Sequence, residues 1–143
     1  MKRRILLVDD DLAVLLTLKA VLELNGFEVE TAANTAEALT RLESAVYHMV
    51  ISDLRMDTEE AGMEVLRAAR QQSYSPATAL LTAYPPFDSR WNGERPDSLL
   101  VKPLGTQDLV RQVEALLIRH ADQQQLRQRN SASEAQPRIR RVG

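Results

Sequence analysis

Three observations predict an α/β fold, a parallel sheet doubly wound by helices on both faces. Short apolar runs, too short for helices, occur at residues 4–8, 49–51, 77–82 and 98–101, and residues 27–33 alternate as a strand should. Stretches with apolar residues at helical spacing separate most of these runs. Turn or capping residues (Asp, Asn, Gly, Pro) punctuate the junctions. A repeated strand–helix alternation requires parallel strands joined by right-handed crossovers, with helices covering both faces.

Residues 4–8 form the first strand and run into Asp9-Asp10-Asp11, where Asp11, directly before a helix, is placed to cap it. Leu12, Leu15, Leu16, Lys19 and Leu22 recur at helical spacing, and Asn25-Gly26 supplies the stop. In residues 27–33, Phe27, Val29 and Thr31 share one face. Asn34 or Thr35 caps a second helix, whose inner face is expected to carry Ala36, Leu39 and Leu42. Met49-Val50-Ile51 suits a strand buried between layers, and Asp53 follows where the chain turns. Residues 60–72 read as a third helix with Met63, Val65, Leu66 and Ala69 inside.

Pro76 leads into the strand at 77–82, and the short strand at 98–101 ends at Lys102-Pro103. Thr106 is expected to cap a last helix, with Leu109, Val110, Val113, Leu116 and Leu117 facing inward. Between Thr82 and Leu99 the alternation calls for a further helix, but Pro85, Pro86, Gly93 and Pro96 oppose a regular one. That segment is expected to be shortened or irregular, with Phe87 and Trp91 covering the core. After Ile118 the apolar period fades. The helix is expected to continue to about residue 129, and residues 130–143, polar and Ser/Arg-rich, to be unstructured. The domain is therefore placed at residues 1–122, and a helix extension with a basic tail at 123–143.

Composition limits the function classes. A chain of 143 residues has room for one domain with a full core, and 44% apolar with 27% charged residues is an ordinary soluble balance. No apolar run approaches a bilayer span, and the apolar stretch after Arg4 is too short for secretion, so the expected location is cytoplasmic. The absence of cysteine excludes disulfides, thiolate metal sites and cysteine nucleophiles. Residues 1–118 hold twelve Lys/Arg against eighteen Asp/Glu, whereas residues 119–143 hold six Arg against two acids. This basic tail has no interleaved aromatics and no helix-turn-helix pattern, so direct nucleic-acid binding is not expected. His48 and His120 belong to no ligand pattern and read as structural or exposed.

The informative feature is where polar residues fall. Asp9 and Asp10 end the first strand, Asp53 the third, Thr82 the fourth and Lys102 the fifth. In a parallel α/β sheet these ends share one edge, where such folds bind ligands. Three carboxylates gathered there repel one another unless a cation neutralises them. A hard divalent ion with oxygen ligands fits, and Mg²⁺ fits best because it keeps several waters and needs few protein ligands. Lys102 and a hydroxyl beside one carboxylate suit a phosphoryl group, attacked in line by Asp53 to give an aspartyl phosphate.

The Asp9-Asp10 pair, Ile51-Ser52-Asp53-Leu54-Arg55-Met56, Leu80-Leu81-Thr82-Ala83 and Val101-Lys102-Pro103 together resemble the receiver domain of two-component response regulators, over roughly residues 3–120. The resemblance implies a flavodoxin-like five-stranded sheet of order 2-1-3-4-5. It implies Asp53 as phosphoacceptor, Asp10 as Mg²⁺ ligand, Asp9 as a ligand through water and the Arg55 carbonyl as a further ligand. Thr82 would bond the phosphoryl oxygen and Lys102 would pair with the phosphoryl group. Arg55 and Tyr84 would flank it and tune its lifetime, and the Lys102–Pro103 peptide would be cis. Implied partners are a sensor histidine kinase or histidine phosphotransfer protein and a downstream protein target.

Three departures stand out. Asp57 replaces the family's usual proline, and Gly62 lies nine rather than eight residues beyond the acceptor. Leu99 occupies the position of the aromatic switch residue. The segment before the fifth strand is rich in proline. Two other readings compete: a receiver-like binding module that is never phosphorylated, and a haloacid dehalogenase-like phosphatase suggested by the Asp9-x-Asp11 pattern. The phosphatase needs a later acidic pair, and only Asp108 follows Lys102 closely.

Overall fold

In the computed structural model, which describes residues 2–83, 95–102 and 105–135, nine elements follow one another. They are β1 (Arg4–Val8), α1 (Leu12–Leu24), β2 (Glu28–Ala32), α2 (Thr35–Ser44), β3 (Met49–Asp53), α3 (Ala61–Arg70), β4 (Ala77–Thr82), β5 (Ser98–Val101) and α4 (Thr106–Ala135). All pairings are parallel and the strand order is β2-β1-β3-β4-β5. This is the flavodoxin-like order anticipated from the sequence. The proline-rich segment expected to be irregular, with Tyr84, Phe87 and Trp91, lies mostly outside the described residues, as does Pro103 with its peptide bond.

Side-chain alternation along the central strands builds two cores. Ile5 and Leu7 of β1, Met49 and Ile51 of β3 and Leu81 of β4 meet Leu15, Leu18 and Leu22 of α1 and Leu109, Val113, Leu116 and Leu117 of α4. Leu6, Val8 and Val50 point the other way, into a layer with Ala38 and Leu42 of α2 and Val65 and Ala69 of α3. Strands buried on both faces are apolar at most positions, which is why they read as near-continuous runs and not as alternation.

Two helix faces differ from expectation. On α1 the buried stripe is Leu15, Leu18 and Leu22, while Leu12 and Leu16 are 66% and 58% exposed. With leucines on every side, helical spacing alone does not select a face; the core-flanking Val14 and Val21 mark it. On α2 the inner residues are Thr35, Ala38 and Leu42, not Ala36 and Leu39. The small Ala38 meets the sheet layer beside Val8 and Ala32.

The helix ends follow capping chemistry. Asp11 Oδ1 accepts from the Ala13 and Val14 amides, and Asn34 Oδ1 accepts from Glu37 N. After α1, Gly26 takes φ +91°, a left-handed turn that suits a residue without a side chain, and the Phe27 amide returns to Leu22 O. Helix α4 begins at Thr106 itself, with Gly105 O accepting from Leu109 N, so the threonine is the first helical residue and not the cap. It continues to Ala135, so residues 130–135, expected to be unstructured, are helical; residues 136–143 lie outside the described residues. Its middle turns are held by Ser75, whose carbonyl meets His120 Nε2 at 2.7 Å and Gln124 Nε2 at 3.0 Å.

Candidate functional site

The carboxyl edge of the sheet gathers its polar residues because successive strands stop in register there. Asp9 continues β1 by one bond, its amide donating to Ala32 O at 3.1 Å, and is fully buried. Its Oδ1 accepts from the Asp11 amide at 3.0 Å, which orients the carboxylate. Asp53 is the last residue of β3, paired with Leu81, and the next amide, Leu54 N, donates to Leu81 O. Thr82 ends β4, buried and paired with Val101. The Lys102 amide donates to Thr82 O at 2.9 Å, which carries β5 one step further and aims the lysine at the same edge.

Carboxylate oxygens of Asp9, Asp10 and Asp53 lie within 4.8 Å of one another. The Lys102 ammonium stands 3.3 Å from Asp9 Oδ2 and 3.6 Å from Asp53 Oδ2. Burial, the facing Asp9 carboxylate and, more weakly, Asp10 push the Asp53 acid up to about 6, against the pull of Lys102. One lysine cannot balance three carboxylates. Hard oxygen donors with surplus negative charge are a donor set for a small divalent cation.

The structure thus brings Asp9, Asp10, Asp53 and Lys102 together, with Thr82 at the adjacent strand end. Arg55 is exposed two residues after Asp53. Leu99, half-buried on β5, packs against Leu54, Met63, Leu66 and Leu80 beneath the site. Tyr84 and Pro103 lie outside the described residues. Asp108, the acid considered for a phosphatase, sits in the first turn of α4 and is not in the acidic cluster.

Two supports for the site escaped the sequence. Gly62 is where α3 crosses the backbone of the acceptor strand: an added Cβ would lie 2.6 Å from Leu54 Cα and closer still to Asp53 O. Its amide donates to Leu54 O at 2.9 Å. The offset of Gly62 was visible in the sequence; the crossing that requires it was not. Thr35, considered there only as a cap, donates from Oγ1 to Asp57 Oδ1 at 3.0 Å. No periodicity links residues 22 positions apart.

Paired acids, a strand-end aspartate and a lysine thus share the carboxyl edge of a doubly wound parallel sheet, the edge at which such folds bind ligands. The response regulator receiver domain model matches residues 5–114, and the chain belongs to that family, the receiver domains of two-component response regulators. It is 36% identical over 119 residues to the transcriptional regulatory protein CpxR homolog of Haemophilus influenzae, covering 82% of this chain and 52% of that protein. It is 37% identical over 118 residues to the transcriptional regulatory protein PrrA of Mycobacterium tuberculosis, covering 81% and 50%. The chain therefore spans about half the length of these curated relatives.

Among solved structures, the chemotaxis response regulator CheY4 of Vibrio cholerae superposes with a TM-score of 0.74 at 28% identity, over 81% of this chain and 99% of that one. The response regulator TrrA of Thermotoga maritima, in complex with Mg²⁺-BeF, gives 0.70 at 33% identity, over 80% and 98%. Receiver domains bind Mg²⁺ at an acidic pocket and interact with histidine kinases and downstream effectors. No helix among the described residues is long and apolar enough to cross a membrane.

Proposed function

We propose that Asp53 is the phosphoacceptor and that the chain passes a two-component signal in the cytoplasm by protein contact. The observation that carries this reading is the meeting of Asp9, Asp10 and Asp53 within 4.8 Å, with Lys102 Nζ 3.6 Å from the Asp53 carboxylate. The donor is a phosphohistidine on a sensor kinase or histidine phosphotransfer protein. An Asp53 oxygen attacks phosphorus in line, the P–N bond breaks, and the imidazole leaves with the electron pair of that bond. Lys102 neutralises charge on the phosphoryl oxygens, and the Thr82 hydroxyl donates to one of them.

Asp10, Asp53 and the Arg55 carbonyl would hold Mg²⁺, with Asp9 acting through water, a set consistent with the surplus of carboxylate charge. Bound there, the cation supplies charge neutralisation to the transferred group. Phosphorylation then shifts a population between two surface states that a partner reads. Output is assigned to protein contact and not to direct nucleic-acid binding by this chain, although its longer relatives are transcriptional regulators.

The test is intact mass after incubation with Mg²⁺ and acetyl phosphate. The expected result is one phosphoryl adduct that is lost on chelation and lost in Asp53→Asn. One observation favours a second reading, a binding module that is not phosphorylated: Leu99, in the aromatic switch position, is packed into the cluster below the site. No adduct, together with no binding of a beryllofluoride mimic, would select that module.

A further inference from the structure

The loop between β3 and α3 carries Arg55, whose carbonyl the proposed function places on the cation, and a peptide oxygen ligates well only where its backbone is fixed. On the amino side the loop is well anchored. Leu54 is buried, its amide donates to Leu81 O, and its carbonyl accepts from Gly62 N. Arg55 is exposed. On the carboxyl side Met56 packs against the Leu6–Val8 layer and its amide donates to Thr58 O. At the next residue the family's usual proline would lock φ covalently, but here Asp57 leaves the backbone free to rotate.

What Asp57 has instead is a long-range bond. Its Oδ1 accepts from Thr35 Oγ1 at 3.0 Å, across 22 residues. Thr35 is the first residue of α2 and is only 7% exposed, and its helix is fixed on the sheet by Ala38 and Leu42. The anchor is therefore rigid, and a buried hydroxyl left unpaired would be costly, so the bond is kept. The geometry favours the same partner electrically: Asp57 meets α2 at its first residue, the positive end of the dipole of a ten-residue helix.

We infer that Thr35 and Asp57 form a positioning pair that fixes the Arg55 carbonyl for the cation, doing by a tertiary hydrogen bond what the proline ring does by covalent restraint. This rests on the proposed metal site. Neither residue touches the cation; each acts through Met56, the single residue between Asp57 and Arg55.

The experiment is calorimetric titration of the full chain with Mg²⁺ alone. Thr35→Val keeps the shape and charge and removes the bond; it is expected to weaken Mg²⁺ binding about five- to tenfold. Thr35→Ser keeps the hydroxyl and is expected to bind within about twofold of the parent. Asp57→Ala breaks the same bond from its exposed end, and on that background Thr35→Val should weaken binding no further. A Thr35→Val protein that melts earlier yet binds Mg²⁺ like the parent overturns the inference, because the pair is then merely structural. So does equal weakening by Thr35→Val with and without Asp57→Ala. Asp10→Asn separates the two levels. If it leaves the parent's titration intact, the metal site itself is misplaced; if it abolishes binding while Thr35→Val has no effect, only the positioning role fails.

Discussion

The Lys102 ammonium lies 3.3 Å from the carboxylate of Asp9, a residue with no solvent exposure, and the same ammonium reaches toward Asp53 at 3.6 Å. One cation thus serves two acids with different duties. Asp9 is a buried charge that requires a partner, and Asp53 is an acid whose burial and neighbours oppose its ionisation. Removing the lysine should therefore show in both stability and titration.

In Lys102→Met the Asp53 acid is expected to climb above about 6, since the favourable charge is gone and the opposing causes remain. Carboxyl ¹³C shifts followed across pH would report it. Urea denaturation at pH 7 should show a loss of about 3 kcal/mol, the cost of leaving a buried carboxylate without its counter-charge. An Asp53 midpoint that stays put would show that the lysine does not act on it electrostatically.

Asp53 also sets a pH dependence for the metal-free protein. Its folded-state acid, near 6, is weaker than the ordinary value of 3.8, so between these the folded chain binds more protons than the unfolded one. The contribution is therefore favourable below about 4 and is lost as pH rises through about 6. Asp53→Asn, which cannot ionise, should be more stable than the parent at pH 7 by roughly 1–2 kcal/mol, after allowing for solvent screening, and the advantage should vanish at pH 4. Paired urea titrations at the two pH values decide it.

Mg²⁺ should reverse that penalty. At one hundred times its Kd the ion is expected to stabilise the fold by about 2.7 kcal/mol, and chelation should remove the gain. Because the ion needs the ionised carboxylate, affinity should fall as pH drops below about 6, approaching tenfold per unit. Thermal melts with and without chelator at pH 7 and pH 5 test both points; a Mg²⁺ gain equal at the two values would place the ion away from Asp53.

How far this was legible in the sequence varies element by element. Residues 4–8, 77–82 and 98–101 emerge as strands at the bounds expected, because doubly buried strands are continuous apolar runs cut off by turn residues. The meeting of Asp9, Asp10, Asp53 and Lys102 was legible for the same reason: parallel strands all end at one edge. Phase was not legible on α1 and α2, where apolar residues occupy more than one side and only the docked geometry selects Leu15 over Leu16 or Ala38 over Leu39. Nor was the Thr35–Asp57 bond, which depends on the start of α2 and the loop after β3 reaching the same place.

Gly62 carries a prediction from packing alone. Its Cα sits so close to the acceptor strand that a methyl group would meet Leu54 Cα at 2.6 Å and press on the Asp53 carbonyl oxygen. Both neighbours are backbone, so α3 has to move. Gly62→Ala is expected to cost about 3 kcal/mol, the upper range for overpacking, and to slow phosphorylation by displacing Asp53. Chemical denaturation and acetyl-phosphate labelling measure the two effects; a fully stable variant would mean that α3 yields without strain.

Ser75 supplies the last prediction, because it ties α4 to the loop before β4. It holds a left-handed φ of 45°, unfavourable for a residue with a side chain, and its carbonyl meets both His120 Nε2 and Gln124 Nε2. The carbonyl can only accept, so His120 must carry its proton on Nε2. The described side chains beyond Gln124 are all exposed, so the helix past it gains little from the domain. Truncation after residue 125 is expected to change stability by less than about 0.5 kcal/mol, whereas truncation after residue 119 removes both donors and should cost about 2 kcal/mol. Denaturation midpoints of the two truncated chains measure the difference, and equal stability would show that the Ser75 tether contributes nothing to the domain.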